Sequence, residues 1–262
     1  MTRKRPGLRG ALLGVLGILG FLALWQLAAA VGWVNAKYVP PPTEVLGTLG
    51  GDLVDLAFWR AVGDTLITWA IGLVISIVLA VVLGTVIGLV PFLRRYTRST
   101  VEFLRPIPSV AIIPIAIMSF GPNRDASLVI VVFATFWQVF IQVLYGVADV
   151  DSVARDTQRS FGLGPLSRFI HLVFPTSLPY LMTGIRLGAT VALILTVTGE
   201  LIIGVPGIGR LLTQRATAGD YAGVYAMVVA AGILALLINL VVRAIERRAL
   251  AWHESVRGEV VL

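Results

Sequence analysis

Few residues of this 262-residue chain are of types that catalyse reactions. Cysteine is absent, which excludes disulfides, zinc–thiolate sites and cysteine nucleophiles. The two histidines, His171 and His253, are too far apart in the chain to suggest a metal centre. The sequence contains no G-x-x-x-x-G-K-[ST] phosphate loop, no H-E-x-x-H zinc motif and no G-x-S-x-G nucleophile elbow. We therefore expect no catalytic residue, no metal, no cofactor and no ATP hydrolysis on this chain.

The polar residues that remain of interest lie within apolar runs. A charged side chain is energetically costly inside a membrane, so its presence there suggests a functional role. Arg186 and Glu200 are fourteen residues apart, about 21 Å along a single helix, so they cannot pair with each other there. Arg186 either reaches the membrane interface or contacts a solute, and Glu200 either supports the following loop or lines a pathway. Gln138 and Gln142 share a helical face and either line a pathway or form interhelical hydrogen bonds.

The composition of the chain indicates a membrane protein. Hydrophobic residues make up 57% and charged residues only 13%, whereas ordinary soluble chains carry about 25% charged residues. The net charge of +7 is scattered between apolar runs, which is typical of orientation signals rather than of a nucleic-acid surface. We expect the chain to contact the lipid bilayer and no nucleic acid.

Long apolar runs predict an all-α, polytopic membrane protein with about six transmembrane helices. The predicted spans are residues 8–31, 63–90, 101–120, 127–147, 181–203 and 221–242. The first run could instead be a signal peptide, but such a segment has an apolar region of only about 7–15 residues, so a retained span is favoured. Between the spans we expect an external linker with an interfacial helix up to residue 62, a compact basic loop at 91–100 and an external loop at 204–219.

The second predicted span carries small residues at strict four-residue spacing. These are Gly72, Ser76, Ala80, Gly84 and Gly88. Such a stripe lets a second helix approach closely. Close packing is how spans associate in a bilayer, because the lipid tails are as apolar as the helices and the hydrophobic effect does not drive the helices together. We expect this stripe to be a helix-packing surface.

Residues 149–179 form the longest polar segment between two apolar runs. Its first half has helical periodicity, with one apolar face made of Val150, Val153, Ala154, Thr157 and Phe161. We expect the polar residues on its other faces to point outwards: Arg155, Asp156, Gln158 and Arg159. Gly162 stands where a helix end favours positive φ, and Pro165, Pro175 and Pro179 predict that the rest is not one continuous helix.

This segment resembles the conserved "EAA" loop of bacterial ABC-importer permeases. Gly162 occupies the position of the loop's glycine, and Val173-Phe174-Pro175 occupies the position of its downstream proline motif. Asp156-Thr157-Gln158 stands where the loop has Glu-Ala-Ala, so only the acid is retained. The run Leu104-Arg105-Pro106-Ile107-Pro108, followed by Ile113-Pro114 and Phe120-Gly121, is similar to the branch that handles nitrate, taurine, alkanesulfonates and related small solutes.

The resemblance implies a type I importer bundle that forms the pathway for a small solute, which we expect to be an organic or inorganic anion. The 149–179 loop would be the coupling helix for a separate ABC ATPase, with the contact residues Asp156, Arg159, Phe161, Gly162, Leu166 and Pro175. The other expected partners are an extracytoplasmic solute-binding protein and a second permease subunit, most simply an identical chain. We expect three regions: residues 1–62 with the first span and linker, a permease core at 63–246, and a tail at 247–262.

The Lys and Arg residues lie mainly on the side of the 149–179 loop, which predicts cytoplasmic N- and C-termini in the bacterial inner membrane. Two other function classes were weighed. An autonomous secondary transporter is expected to show internal repeats and midplane acids, which are weak here. An intramembrane enzyme needs a nucleophile–base pair, and none stands out in the sequence.

Overall fold

The described part of the chain is helical. The computed structural model describes residues 8–252, and no strand occurs in that range. Eleven α-helices follow one another there: α1 (Leu8–Val31), α2 (Pro42–Asp52), α3 (Leu56–Leu89), α4 (Pro91–Leu104), α5 (Ile113–Phe120), α6 (Arg124–Ala148), α7 (Ser152–Ser160), α8 (Pro165–Arg168), α9 (Phe174–Ile203), α10 (Ile208–Ala218) and α11 (Tyr221–Ala249). A 3-10 turn, Ser109–Ile112, precedes α5, and a π turn, Phe169–Val173, joins α8 to α9.

Five stretches of helix are long and apolar enough to cross a membrane. They are Leu12–Val31, Leu56–Leu89, Arg124–Ala148, Pro165–Ile203 and Tyr221–Ala249. A sixth crossing is counted only if α4 and the segment Ser109–Phe120, which meet at an angle of 85°, are taken as one broken span. The all-α membrane architecture predicted from the sequence is confirmed.

The core of the bundle is α6, which packs between α3 and α9. The small residues of α3 make the first contact possible: a Cβ added at Gly72 would lie 2.5 Å from Val131 Cγ1, and one added at Gly84 2.8 Å from Val143 Cγ1. Ser76 and Ala80 lie between them, fully buried. The predicted stripe therefore lies against α6, and each glycine marks a point where the two backbones come close.

The contact between α6 and α9 uses glycines on both helices. Gly184 of α9 faces the backbone of Val139, and Gly146 of α6 faces the backbone of Ser177. A Cβ at Gly184 would stand 3.1 Å from the Val139 Cα, and a Cβ at Gly146 2.8 Å from the Ser177 Cα. The three central helices are thus packed backbone against backbone.

The first span lies at the margin of this core. The observed α1 has the predicted bounds, but Ala29 is its only buried side chain among those described. Its contacts with the rest include the ring of Trp25, 5.7 Å from that of Tyr225, and Gln26, whose side-chain oxygen accepts from Thr43 Oγ1 at 3.4 Å. The exposed apolar surface of α1 is suited to lipid.

The prediction for residues 91–120 was wrong in its layout. The expected basic loop and the start of the expected third span form one helix, α4, with Pro91 in its first turn and no buried residue. The helix stops at Leu104, two residues before Pro106, and neither Pro106 nor Pro108 has an amide hydrogen to continue the helical hydrogen bonds. The apolar helical segment that remains is short, Ser109–Phe120, and turns away by 85°.

The expectation that prolines interrupt residues 165–179 was also wrong. Helical structure runs from Pro165 to Ile203, so the fifth span begins well before the predicted residue 181. Pro165 stands in the first turn of α8, where a missing amide hydrogen costs little, and Pro175 comes just after the π turn. Pro179 lies inside α9, and the preceding π turn shows the local readjustment that lets a membrane helix accommodate proline.

Two further segments depart from the predicted layout. The second span starts at Leu56, with the Asp55 carboxylate capping it at 2.9 Å from the amide of Ala57, rather than at residue 63. The expected external loop at 204–219 contains a full helix, α10. Helix α2 buries Val45 and packs on α11, so only part of its expected apolar face is turned inwards.

Candidate functional site

Helix α7 lies at the end of the bundle where α3 and α6 also finish. We call this the α7 end, and the opposite end, which holds α2 and α10, the α10 end. The Asp151 side chain caps α7 by accepting from the amide of Ala154 at 2.8 Å. Val150, just before the cap, is buried in the core that Val147 also joins. The start of α7 is therefore fixed to the bundle, although no residue within α7 is buried.

The apolar side chains of this segment point away from the chain. Val153 is 72% exposed, Phe161 80% and Leu166 of α8 71%. The half-buried positions of α7 are instead Ala154, Arg155 and Gln158. The expectation that polar residues of α7 point outwards holds for Asp156 and Arg159, which are more than half exposed, but not for the half-buried Arg155 and Gln158. We call Val153, Phe161 and Leu166 the exposed patch.

Gly162 ends α7 in the left-handed conformation. Its φ is +71°, and its amide donates to the Arg159 carbonyl at 2.9 Å while the amide of Leu163 donates to the Gln158 carbonyl at 3.1 Å. These bonds satisfy carbonyls that the helix leaves free at its end. No atom lies within 4 Å of where a Cβ would stand, so backbone conformation and not space favours glycine here.

The remaining predicted coupling residues are spread along the segment. Asp156 and Arg159 form an exposed ion pair at 3.5 Å on α7. Pro175 stands in the first turn of α9, beyond the π turn, and is therefore separated from the exposed patch of Val153, Phe161 and Leu166.

Glu200 lies at the other end of α9, where its side chain is completely buried. Its Oε2 accepts from Thr65 Oγ1 at 3.0 Å and from the amide of Gly209 at 2.9 Å. Thr65 Oγ1 in turn accepts from the amide of Ile208 at 3.0 Å. The carboxylate therefore connects three elements, α3, α9 and the start of α10. It satisfies the amide of Gly209 directly, and Thr65 satisfies that of Ile208, both in the first turn of α10.

The loop between α9 and α10 fits closely around this carboxylate. Gly207 has a φ of +154°, and a Cβ there would overlap the carboxyl group of Glu200. A Cβ at Gly209 would stand 2.8 Å from Glu200 Cβ and closer still to the carbonyl of Val197. This geometry matches the alternative in which Glu200 supports the loop, and we call Thr65, Glu200, Gly207, Ile208 and Gly209 the Glu200 clamp.

Two ion pairs that the sequence did not indicate join further elements at the α10 end. Arg215 of α10 binds both carboxylate oxygens of Asp52 on α2, and Asp220 lies 3.9 Å from Arg215. Because Arg215 donates hydrogen bonds to the Asp52 carboxylate, the pKa of Arg215 lies above its ordinary value. Arg124 of α6 binds Asp64 of α3 at 2.6 Å. Asp52 and Arg215 are 163 residues apart in sequence, so no local pattern could pair them.

The other polar residues of the spans have separate surroundings. Arg186 of α9 lies 3.4 Å from Glu246 of α11, an interhelical ion pair that neither alternative for Arg186 included. Gln138 is exposed, and Gln142 is half-buried with its Cβ against Gly184. Neither glutamine side chain makes a hydrogen bond within residues 8–252, so the expected interhelical bonds are not formed.

The arrangement is suited to holding helices together and to docking, and its polar residues do not converge on one point. Glu200, Arg186 and Gln138 belong to three different surroundings. Within residues 8–252, no three side chains of histidine, aspartate or glutamate come together as a metal site would require. The features that stand out are the exposed apolar patch at the α7 end and the buried clamp at the α10 end.

Comparison with known proteins covers most of the chain. Residues 72–250 match the family described as "Binding-protein-dependent transport system inner membrane component". A relative from Escherichia coli (strain K12), the putative aliphatic sulfonates transport permease protein SsuC, is 30% identical over 90% of both chains. The taurine transport system permease protein TauC of the same organism is 27% identical over 94% of this chain and 90% of its own.

Solved structures show the same fold at low sequence identity. A chain of the MetNI methionine ABC transporter, in an inward-facing conformation, has a TM-score of 0.64 at 19% identity and covers 74% of this chain and 96% of its own. A bacterial ABC transporter involved in alginate import also has a TM-score of 0.64, at 16% identity, with 94% and 96% covered. The chain belongs to the family of binding-protein-dependent transport system inner membrane components: it is the non-catalytic, multi-pass permease subunit of an ABC importer, whose ATPase is a separate subunit.

Proposed function

We propose that this permease forms the membrane pathway for a small organic or inorganic anion of the sulfonate, taurine or bicarbonate class. The observation that carries the solute class is the similarity to SsuC and TauC over nine-tenths of their lengths. A bicarbonate transport system permease protein, CmpB of Synechocystis, supports the same class at 27% identity over 79% of this chain. These three solutes share a compact anionic group.

The exposed patch of Val153, Phe161 and Leu166 is proposed as the docking surface for the ATPase. Exposed aromatic and aliphatic anchors surrounded by polar residues are typical of the centre of a protein interface. Arg159 of α7 is exposed, whereas Arg155 and Arg168 are half-buried. Asp156, Gly162 and Pro175 then serve the contact indirectly, through the ion pair, the helix end and the start of α9.

Helix α9 and the turn before it connect the docking surface to the Glu200 clamp. Helical structure is continuous from Pro165 to Ile203, 39 residues or about 58 Å at 1.5 Å per residue. A displacement of Leu166, at the start of this element, is therefore passed along it to Glu200, which holds α3 and α10, and a displacement of α7 reaches the element through the turn at Gly162. We infer that ATP-driven closure changes access to the pathway by moving α9 relative to α3.

The orientation that fits this mechanism places the α7 end in the cytoplasm. The cationic side chains on that end outnumber those on the other. Those at the α7 end are Arg94, Arg95, Arg98, Arg105, Arg155, Arg159, Arg168, Arg243, Arg247 and Arg248. Those at or near the α10 end are Lys37, Arg60, Arg124, Arg210 and Arg215. An excess of Lys and Arg marks the cytoplasmic side. Both termini then lie in the cytoplasm, in segments outside the described residues.

The working assembly is proposed to contain two copies of this permease, two ATPase subunits and one solute-binding protein that docks at the α10 end. Its test is reconstitution of the chain with the ATPase encoded by its host and the cognate binding protein in vesicles. ATP-dependent uptake of radiolabelled taurine or bicarbonate, absent without the binding protein, is the expected result. Uptake driven by an ion gradient without ATPase would instead indicate a secondary transporter.

The docking surface is tested separately, by co-purification of the ATPase with Phe161→Ser. The matched control is Ser160→Ala, because Ser160 is the neighbouring exposed residue and its hydroxyl contacts only the Asp156 carbonyl. We expect Phe161→Ser to lose most of the bound ATPase and the control to keep it. Equal recovery with both variants would show that the ATPase binds elsewhere on the chain.

A further inference from the structure

A cavity of about 760 Å³ opens between the ends of α3 and α6 and the amphipathic helix α4. Its apolar wall is formed by Ile87, Ile141 and Leu144. Three arginines line its other side: Arg94 and Arg98 of α4, and Arg105, which follows α4 directly. The cavity therefore combines a cationic side with an apolar wall. Neither the coupling mechanism nor the Glu200 clamp uses any of these residues.

The positive charge of the cavity is only partly compensated. Glu102 is the one acidic residue in its lining, and its carboxylate binds Arg98 at 2.8 Å on the exposed side. Within residues 8–252, Arg94 and Arg105 have no carboxylate within ion-pair distance. Two guanidinium groups are thus left to bind an anion, and the planar fork of arginine matches the oxygens of a phosphate.

The position of α4 indicates what kind of anion this is. The helix begins directly after α3 ends, at the level where a spanning helix meets the head groups of its leaflet. No residue of α4 is buried, and its exposed side chains combine aromatic rings, Phe92, Tyr96 and Phe103, with arginines. Aromatic and basic residues on an amphipathic helix are typical of one that lies in the membrane interface.

We propose that this cavity binds an anionic phospholipid of the leaflet on the α7 side. The lipid phosphate lies against Arg94 and Arg105, and an acyl chain runs along the wall of Ile87, Ile141 and Leu144. A free inorganic anion would use the arginines and leave this wall empty, which is why the lipid fits better. Basic pockets between membrane helices on the cytoplasmic side are known to take such head groups.

The experiment measures lipid retained by the full chain after purification in mild detergent, by native mass spectrometry with added phosphatidylglycerol or phosphatidylcholine. The test variant is Arg94→Gln/Arg98→Gln/Arg105→Gln. Its matched control, Arg243→Gln/Arg247→Gln/Arg248→Gln, removes three exposed charges from the same end of the bundle. None of the six side chains is buried, so both variants are expected to fold.

The wild type and the control are expected to retain phosphatidylglycerol in preference to phosphatidylcholine, and the test variant to lose about tenfold or more of that retention. Equal retention by all three proteins, or no preference for the anionic lipid in the wild type, would overturn the proposal. So would displacement of the lipid by millimolar taurine or bicarbonate, because that assigns the cavity to the transported solute. Lipid retention is read without ATPase or transport, so a failure of the proposed function leaves this result unaffected.

Discussion

The two ends of the bundle differ in which side chains they bury. At the α10 end a carboxylate, a threonine hydroxyl and two amides are buried and hydrogen-bonded to one another. At the α7 end the core stops at Val150, and the apolar residues Val153 and Phe161 are exposed. Both ends also expose apolar side chains: Val54 and Trp33 at the α10 end, and Val153 and Phe161 at the α7 end. What distinguishes the α10 end is its buried, hydrogen-bonded polar network, whereas Val153 and Phe161 lie on the surface that we propose as the ATPase contact.

The difference also concerns how each end depends on its glycines. No side chain fits at position 207, because Glu200 occupies the volume next to Gly207. At position 162 there is room for a side chain, and only the positive φ of Gly162 favours glycine. Substitutions at the α10 end are therefore expected to lower stability, and those at the α7 end to weaken association while the fold persists. Four measurements test this separation.

The largest effect is expected for Gly207→Ala. The added methyl group overlaps the Glu200 carboxylate, so the hydrogen bonds to Thr65 and Gly209 must break or α10 must shift. Overpacking and backbone strain together should cost about 3 kcal/mol or more. The measurement is the thermal unfolding of the detergent-purified chain.

The control for this variant is Gly219→Ala, at a positive φ of +75° with no atom within 4 Å of a Cβ. This variant is expected to lower the free energy of unfolding by about 1–2 kcal/mol, because only the positive φ disfavours alanine there. If both variants unfold at the same temperature, the close fit around Glu200 does not stabilise the α10 end.

The second effect, about 2 kcal/mol, is expected for Glu200→Ala. The change leaves the Gly209 amide and the Thr65 hydroxyl buried without their acceptor. Glu200→Gln is the matched variant, because its amide oxygen can still accept from both donors. Thermal unfolding should rank the wild type and Glu200→Gln above Glu200→Ala. A pathway role for Glu200 would give the opposite pattern, with unchanged stability and lost transport in both variants.

The sequence predicted what local patterns specify. The bounds of α1, the stripe from Gly72 to Gly88 and the segment that forms α7 were each visible from apolar runs, four-residue spacing or helix-end signals. These features depend on residues close together in the chain. Pro106 and Pro108 indicate that the chain bends between α4 and Ser109–Phe120, but their presence does not give the size of the angle, 85°.

What could not be predicted depends on distant residues. Thr65 and Glu200 are 135 residues apart, and nothing in either neighbourhood identifies the other. The orientation of α7 was predicted only in part: Asp156 and Arg159 are exposed as expected, but so are Val153 and Phe161 of the predicted apolar face. Helical periodicity identifies an apolar face without showing whether that face packs on its own chain or points outwards.

The third effect is expected at the exposed patch. Phe161→Ser removes a large aromatic side chain that contacts little of its own chain, and the loss of one such anchor typically weakens an interface by about tenfold or more. The affinity for the ATPase, measured by titration in nanodiscs, should fall accordingly. Thermal unfolding of the permease alone should be unchanged. A loss of stability as large as that of Gly207→Ala would mean that the two ends do not differ as described.

The smallest effect is expected for Asp156→Ala, which tests whether the acid retained at the Glu-Ala-Ala position contributes to docking. Its carboxylate pairs with Arg159 in water, with both side chains more than half exposed, and exposed pairs contribute about 0–1 kcal/mol. The permease should keep its stability, and its affinity for the ATPase should fall by less than about threefold, within that range. The matched variant is Asp151→Ala, which removes the cap of α7 and should cost about 1 kcal/mol of helix stability. A larger loss of affinity for Asp156→Ala than for Phe161→Ser would show that charge, and not the apolar patch, determines how the ATPase binds.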